Sequence, residues 1–424
     1  MRVAVIGAGV VGVSTAYFLA QNGHQVSVIE QHGNVCEQAS LGHAGLFGPA
    51  HLLPLGAPGM PRQVIAHWFK SDSALRITPS LNISHWRWLR SWIQECALER
   101  MLANKEKMLR LGKYSQQLFS DISLTHNLEF QQRSGILQLF RTAKEQANIE
   151  AGLALLSQAD LPFQILDEAA CRLVEPALNM HTPIAGGIFF PNDSQGNSVL
   201  FAKHIKMIAQ QNGVEFAFLT RCDQLVPTHN GVTLHMQSQG QSQDQDQNQA
   251  RTEHFDAAVL TAGAQSATFF NALRIPLRTA SIRSFSNTSN IKNMEDSPRV
   301  SIIDDSRQIT ITRMDKRIRV AGTLHSGNPG PATEQRAQQL LRDTGADWFP
   351  DAANYSTGSN WSGRHLMLPD NAPLLGQSPE KNIYLNVAHA EYGWSMALGS
   401  AKVVADIVSG KTPEINLDGL NMLR

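Results

Sequence analysis

Gly7, Gly9 and Gly12 stand in the order GxGxxG, and Glu30 follows 18 residues after the last of them. Each position has its own physical use where a strand turns straight into a helix. The first glycine permits the tight turn, the second lets backbone amides approach a pyrophosphate, and the third lets helix and strand pack closely while the helix dipole faces the phosphates. A carboxylate at this distance ends the second strand, where it accepts hydrogen bonds from both ribose hydroxyls of an adenosine. The same charge repels a 2′-phosphate, which disfavours NADP. The spacing points to a dinucleotide and leaves NAD and FAD unseparated.

The elements that must position these residues are legible around them. Val3 to Ile6 is a short apolar run typical of a buried parallel strand, and Val13, Ala16, Tyr17, Leu19 and Ala20 return at helical spacing until Gly23. "QVSVIE" is then the second strand. "FDAAVLTAGAQS" reads as a buried strand ending at Ala262 and Gly263, a second flexible turn at the carboxyl edge of a sheet. Near the end, "NIYLNVAHAEYGWSMALGSAKVVADIVSG" predicts a strand, a turn from His389 to Gly393, and a helix from about Ser395. The N-terminus of that helix suits an electron-rich group such as the pyrimidine edge of a flavin.

A chain of 424 residues exceeds one ordinary domain and predicts two compact units or one large interleaved one. Lys plus Arg equals Asp plus Glu at 36 each, so the overall charge gives no reason to expect nucleic acid or another polyanion as partner. Cys36, Cys96, Cys171 and Cys222 are scattered without a CxxC pair or a zinc spacing, which predicts buried thiols in a reducing compartment and no metal site. The opening "MRVAVIGAGVVG" runs into a glycine turn rather than a cleavage site, so no signal peptide is expected. No run reaches the roughly 18 apolar residues of a spanning helix. A cytoplasmic protein is expected, with a peripheral position on the inner face of the cytoplasmic membrane as the alternative.

Several longer stretches carry a family resemblance: "GVVGVSTAYFLAQNGHQVSVIE", "APGMP" at 57–61, "NKEKMLRLGKYS" at 104–115, "SGILQLFRT" at 134–142, "VEPAL" at 174–178, "ITRMDKRIRVAG" at 311–322 and "GWSMALGS" at 393–400. They resemble the D-amino-acid oxidase superfamily of flavoproteins, and within it the bacterial D-amino-acid dehydrogenases, over nearly the whole chain. The resemblance implies an α/β fold in which a Rossmann-like FAD-binding domain (1–62, 196–268 and 363–424) is interleaved with an α+β substrate domain (63–195 and 269–362) on a mixed or antiparallel sheet. It also implies FAD as cofactor, contacted by Gly7, Gly9, Val10, Val11, Gly12, Glu30 and Gln31 at the adenosine diphosphate half. Further contacts would come from Ser40, His43, Ala44, Gly45, Cys222, Ala262, Gly263, Gly363, Gly393, Trp394 and Ser395. The implied reaction is oxidation of an amino acid's amine carbon by hydride transfer to the flavin, giving an imine and then a 2-oxo acid, with a quinone or other carrier as electron acceptor.

The departures fall where the family faces its flavin and substrate. His43 stands at the family's usual Asn, and Ser281, Ile282 and Arg283 replace Lys-Gly-Tyr. Gly-x-Arg-Pro becomes Gly363, Arg364, His365 and Leu366, and Gly-His-Gly-Thr becomes Ala388, His389, Ala390 and Glu391. His43 is either a hydrogen-bonding histidine beside the isoalloxazine or a covalent flavin attachment. Of Arg364 and His365 one is expected to point inward, with His365 preferred, because side chains alternate along a strand. Arg283 suits a carboxylate clamp, being permanently charged and able to fork two hydrogen bonds. His389, Arg283, His365 and Tyr392 form the expected catalytic set. Trp86, Trp88 and Trp92 are expected in the core. The loop 45–61, apolar without period, is expected to be the membrane or partner contact, and the glutamine-rich run 237–249 an exposed hairpin tip. An FAD-binding scaffold subunit and an oxygen-using oxidase stay open as rivals to a dehydrogenase.

Overall fold

Two sheets organise the chain, and the alternation of side chains along their strands decides what each face packs against. The computed structural model describes residues 1–66, 75–77, 83–147, 149–238, 249–327 and 329–422. Its first strand, Arg2–Ile6, lies inside a six-stranded sheet, parallel to Gln25–Ile29 on one side and to Ala257–Leu260 on the other. Glu215–Ala217 and Ile383–Val387 extend the parallel set outward, and Leu374–Gln377 closes one edge antiparallel. Val3 and Val5 share one face with Val26, Val28 and Val259, against the helices Val10–Gln21, Ser198–Gln211 and Gly393–Val408. Ala4, Ile6, Ala258 and Leu260 take the other face, against Leu234, Met236 and Phe255 of a three-stranded antiparallel sheet. Burial on both faces explains why these strands read as near-continuous apolar runs.

The second sheet has Ser359–Met367 at one end of its order, followed by Ala280–Asn290, Arg317–Ser326, Ile309–Met314, Ser301–Asp304, Arg133–Phe140, Gly186–Gln195 and Leu46–Phe47. Leu75–Ile77 also pairs with Arg317–Ser326, in parallel. Most of its pairs are antiparallel, and the parallel pairing of Ser301–Asp304 with Arg133–Phe140 makes the sheet mixed. Helix Pro331–Trp348 covers one face through Leu341 and Trp348, which pack with Leu137, Ile302 and Ile318. The long helix Leu98–His126 joins the two bodies: Met108, Leu111 and Phe119 enter the core around Met396 and Leu398, while Leu109 packs with Ile136 and Ile188. The α/β fold with a Rossmann-like unit and a mixed second sheet is therefore present.

Several expectations are corrected. The C-terminal helix begins at Gly393, not near Ser395. Ser359–Met367 is one continuous strand of the larger sheet, so a boundary at 363 falls inside it. The first half of the loop 45–61 is not an exposed apolar contact: residues 45–52 are all buried, with Leu52 fully enclosed among core helices, while Pro58 and Gly59 are exposed. Its lack of period reflects enclosure from several sides by different elements. Trp88 and Trp92 are buried and stacked, but Trp86 is 47% exposed. Residues 239–248 of the glutamine-rich run lie outside the described residues; the strands Gly231–Ser238 and Gln249–Phe255 that flank them pair antiparallel.

Candidate active site

A cavity of about 590 Å³ opens at the carboxyl ends of the parallel strands, between Arg2–Ile6 and Ala257–Leu260, where the strand order reverses. Such a crevice is where open α/β sheets take ligands. Gly7 has φ +104°, and a Cβ there would sit 2.9 Å from the Thr261 carbonyl oxygen. A Cβ on Gly12 would come within 1.9 Å of the Gly7 carbonyl oxygen. The protein itself therefore requires glycine at 7 and 12. At Gly9 a Cβ would meet only Ser40 Oγ, at 3.5 Å, so this glycine leaves the cavity floor open. Thr261 Oγ1 donates to the carbonyls of Ile6 and Gly7 at 2.9 and 3.0 Å and fastens the turn to the neighbouring strand. The buried Glu30 carboxylate accepts from the amides of Ala8 and His32 at 2.7 and 2.9 Å, which fixes its orientation at the rim. Val10, Val11, Gln31, Ser40, Cys222, Ala262 and Gly263 line the same end.

The far end is built from four separated segments. His43 is held at both ring nitrogens: Nδ1 accepts from the Gly45 amide at 2.9 Å, so Nε2 carries the proton and donates to the Glu391 carbonyl, also at 2.9 Å. Burial lowers its pKa to about 3, outweighing that backbone bond. His365 bonds to Ser284 Oγ at 2.6 Å, and His389 to Ser400 Oγ at 2.9 Å. Burial lowers these two to about 4 and about 3. All three imidazoles are thus neutral at neutral pH. Ala388 and Ala390, flanking His389, sit at φ +62° and +49°, a left-handed conformation costly for any residue with a Cβ. Both alanines hold this conformation while carrying a methyl group.

Arg283 and Arg364 both reach the cavity, Arg283 in an ion pair with Glu334. Along Ser359–Met367 the side chains alternate, with His365 buried and Arg364 exposed on opposite faces, and residues 364 and 365 both border the cavity. Gly363, Gly393 and Trp394 also line it. Gly12, Ala44, Gly45, Ser395 and Tyr392 do not. Gly12 is the spacer under Gly7, the Ala44 carbonyl accepts from Thr312, and the Gly45 amide serves His43. Ser395 Oγ bonds to the Leu46 carbonyl at 3.3 Å, and the Tyr392 hydroxyl donates to the Leu53 carbonyl at 2.9 Å.

Sequence reasoning missed Thr261, Trp361 and Arg319. The Trp361 indole fills the space that a Cβ on Gly42 or Gly363 would take, a packing visible only across strands. Arg319 donates to the carbonyls of Leu41 and His43 at 2.8 and 2.9 Å and holds the His43 segment, with burial pulling its pKa down to about 10.

Two buried groups on the lining, Asn386 Oδ1 and Trp394 Nε1, have no hydrogen-bond partner among the described residues. Residues 2–407 match the family model described as FAD dependent oxidoreductase. The chain belongs to this family. It is 34% identical over 431 aligned residues to a D-amino acid dehydrogenase of Neisseria meningitidis, and 31% identical over 427 to one of Vibrio cholerae. Each alignment covers 100% of this chain and 99% of the relative. Among solved structures, glycine oxidase from Geobacillus kaustophilus superposes with a TM-score of 0.74 at 17% identity, covering 100% of this chain and 99% of that one. As a member of the family the chain uses FAD, and the continuous cavity from glycine turn to histidine-lined end fits so long a cofactor. No helix among the described residues is long and apolar enough to cross a membrane.

Proposed function

We propose that the chain oxidises a D-amino acid, or a secondary or N-alkyl amino acid, to an imine that water converts to a 2-oxo acid, and passes the electrons to a quinone or another carrier. The observation that carries this reading is the single cavity with a phosphate-type glycine turn at one end and guanidinium groups beside neutral imidazoles at the other. Similarity over the full chain to proteins named D-amino acid dehydrogenase supports an amino acid as substrate.

FAD, when bound, supplies the two-electron acceptor. The chain's own groups do the rest. The amides of Gly9, Val10 and Val11 at a helix N-terminus suit the pyrophosphate, and Glu30 the ribose. Gly363, Gly393 and Trp394 suit the isoalloxazine, with the His43 segment braced beside them by Arg319. Guanidinium groups hold the substrate carboxylate bidentately and fix the amine carbon's approach. His365 and His389, neutral by burial, add no charge that would oppose binding of the amine and present ring nitrogens for its proton.

Anaerobic mixing of the FAD-loaded protein with a panel of D-, L- and N-alkyl amino acids tests the reading. Bleaching of the flavin by at least one D- or N-alkyl amino acid is expected. Failure of the whole panel to bleach it would overturn the proposal.

A further inference from the structure

A carboxylate, an imidazole and a hydroxyl stand in series behind the far end of the cavity: Asp193, His51 and Ser395, none of them on its lining. Asp193, on strand Gly186–Gln195, is 1% exposed. Its carboxylate accepts from the amides of Ala50 and His51 at 3.2 and 2.8 Å and from His51 Nδ1 at 2.7 Å. Gly48, at φ +135°, makes room for it, since a Cβ there would lie 2.4 Å from Asp193 Oδ1. A carboxylate accepts, so Nδ1 carries the proton of that bond and Nε2 is turned toward Ser395 Oγ, 3.5 Å away. Such a series can activate a hydrolytic serine. Here Ser395 is 1% exposed and its hydroxyl donates to the Leu46 carbonyl at 3.3 Å, so the series holds backbone instead. Ser395 belongs to the first turn of helix Gly393–Val408, and its neighbours Gly393 and Trp394 line the cavity. The Tyr392 ring lies 6.1 Å from the His51 ring, and the Glu391 carbonyl bonds to His43. Residues 43–53 and 391–395 are thus laced together, and Asp193 fastens them to the larger sheet. First-turn amides have no partner within their helix and carry the positive end of its dipole. Where this turn stands decides how strongly that end of the cavity favours negative charge.

We propose that His51, oriented by Asp193, is a positioning residue for the electron-accepting end of the site: through Ser395 it holds the first turn of helix Gly393–Val408 in place and so raises the reduction potential of the bound flavin. Reduction adds electrons, and a firmly held helix N-terminus favours the electron-rich state. The two ring nitrogens have separable duties, Nδ1 to anchor and Nε2 to reach the helix. The inference rests on the functional reading above, in which Gly393 and Trp394 meet the isoalloxazine, and adds to it two residues that line no part of the cavity.

The midpoint potential of the FAD-loaded protein is measured against a reference dye for the parent chain, His51→Asn, His51→Gln, Ser395→Ala and the double variant of His51→Asn with Ser395→Ala. Flavin content and Tm serve as controls. Asparagine keeps a donor where Nδ1 lies but ends short of Ser395, whereas glutamine extends toward it. His51→Asn and Ser395→Ala should each lower the equilibrium constant for flavin reduction by about threefold to tenfold, about 15 to 30 mV for a two-electron couple, and the double variant no further. His51→Gln should recover most of the loss. An unchanged potential in His51→Asn, equal losses in the Asn and Gln variants, or additive losses in the double variant would overturn the inference. Ser395→Ala removes a single oxygen, so if exchanges at His51 unfold the chain, an unchanged potential in that variant overturns it alone. If no amino acid bleaches the flavin, the functional reading falls, while the dye-poised potential still decides the role of His51.

Discussion

The two ends of the cavity are held together by different means. At the glycine turn the geometry is set by backbone against backbone: a Cβ at Gly12 would collide with the Gly7 carbonyl oxygen, and one at Gly7 would press on the Thr261 carbonyl oxygen. At the far end the backbone is tolerated rather than required, with alanines at positive φ on either side of His389 and buried neutral histidines. The first end has no slack because its conflicts are with atoms that every residue possesses. The second end gets its chemistry from side chains, so it can change while the fold stays.

The largest effect should come from Gly12→Val, which puts branched atoms where the neighbouring carbonyl oxygen already is. A loss of about 3 kcal/mol in unfolding free energy is expected, together with loss of bound flavin, read from denaturant titration and from flavin absorbance per chain. A normally stable, fully loaded variant would mean that the turn has more room than the structure gives it.

Glu30→Ala should be next. It leaves the Ala8 and His32 amides without their acceptor and removes the rim carboxylate, so the Kd for FAD should rise by about tenfold to a hundredfold. Stability without FAD should fall much less than in Gly12→Val, which would separate ligand contact from framework.

The far end should answer to pH instead. His43, His325, His365 and His389 have folded pKa values lowered by burial to between about 3 and about 4, below an ordinary value of 6.5. Between those limits the unfolded chain binds protons that the folded chain refuses, so stability is full above about pH 6.5 and is lost on acidification toward pH 4. Glu391 acts in the opposite sense. Burial raises its pKa to about 7, so its ionisation penalises the folded state as pH rises from the ordinary carboxylate range to 7. Tm against pH should therefore show a fall on the acid side that His389→Gln makes shallower, and Glu391→Gln should remove the opposing slope. An acid limb unchanged by His389→Gln would show that this ring is not held neutral.

The smallest effect is a gain. Ala390→Gly relieves a methyl group at φ +49° and should stabilise the protein by up to about 1 kcal/mol in thermal unfolding. Loss of stability would show that the strain is absent. A related check concerns His43: both of its ring nitrogens are occupied, so denaturation should release all the yellow colour from the chain.

The sequence by itself determined the glycine turn, the strands around it and Glu30, because those features arise from neighbours within about thirty residues and from backbone sterics that spacing encodes. It also carried the family, through long stretches matched over nearly the whole chain. It did not determine that residues 45–52 are enclosed, that Tyr392 turns away to the Leu53 carbonyl, or that Arg364 and His365 both border the cavity from an end strand. Nor could it show Trp361 between two distant glycines, or Arg76, Arg283, His325 and Arg364 in one row. These are matters of register between strands far apart in the chain, and a shift of one residue in any of them would turn the side chain to the other face. Only the tertiary structure decides that.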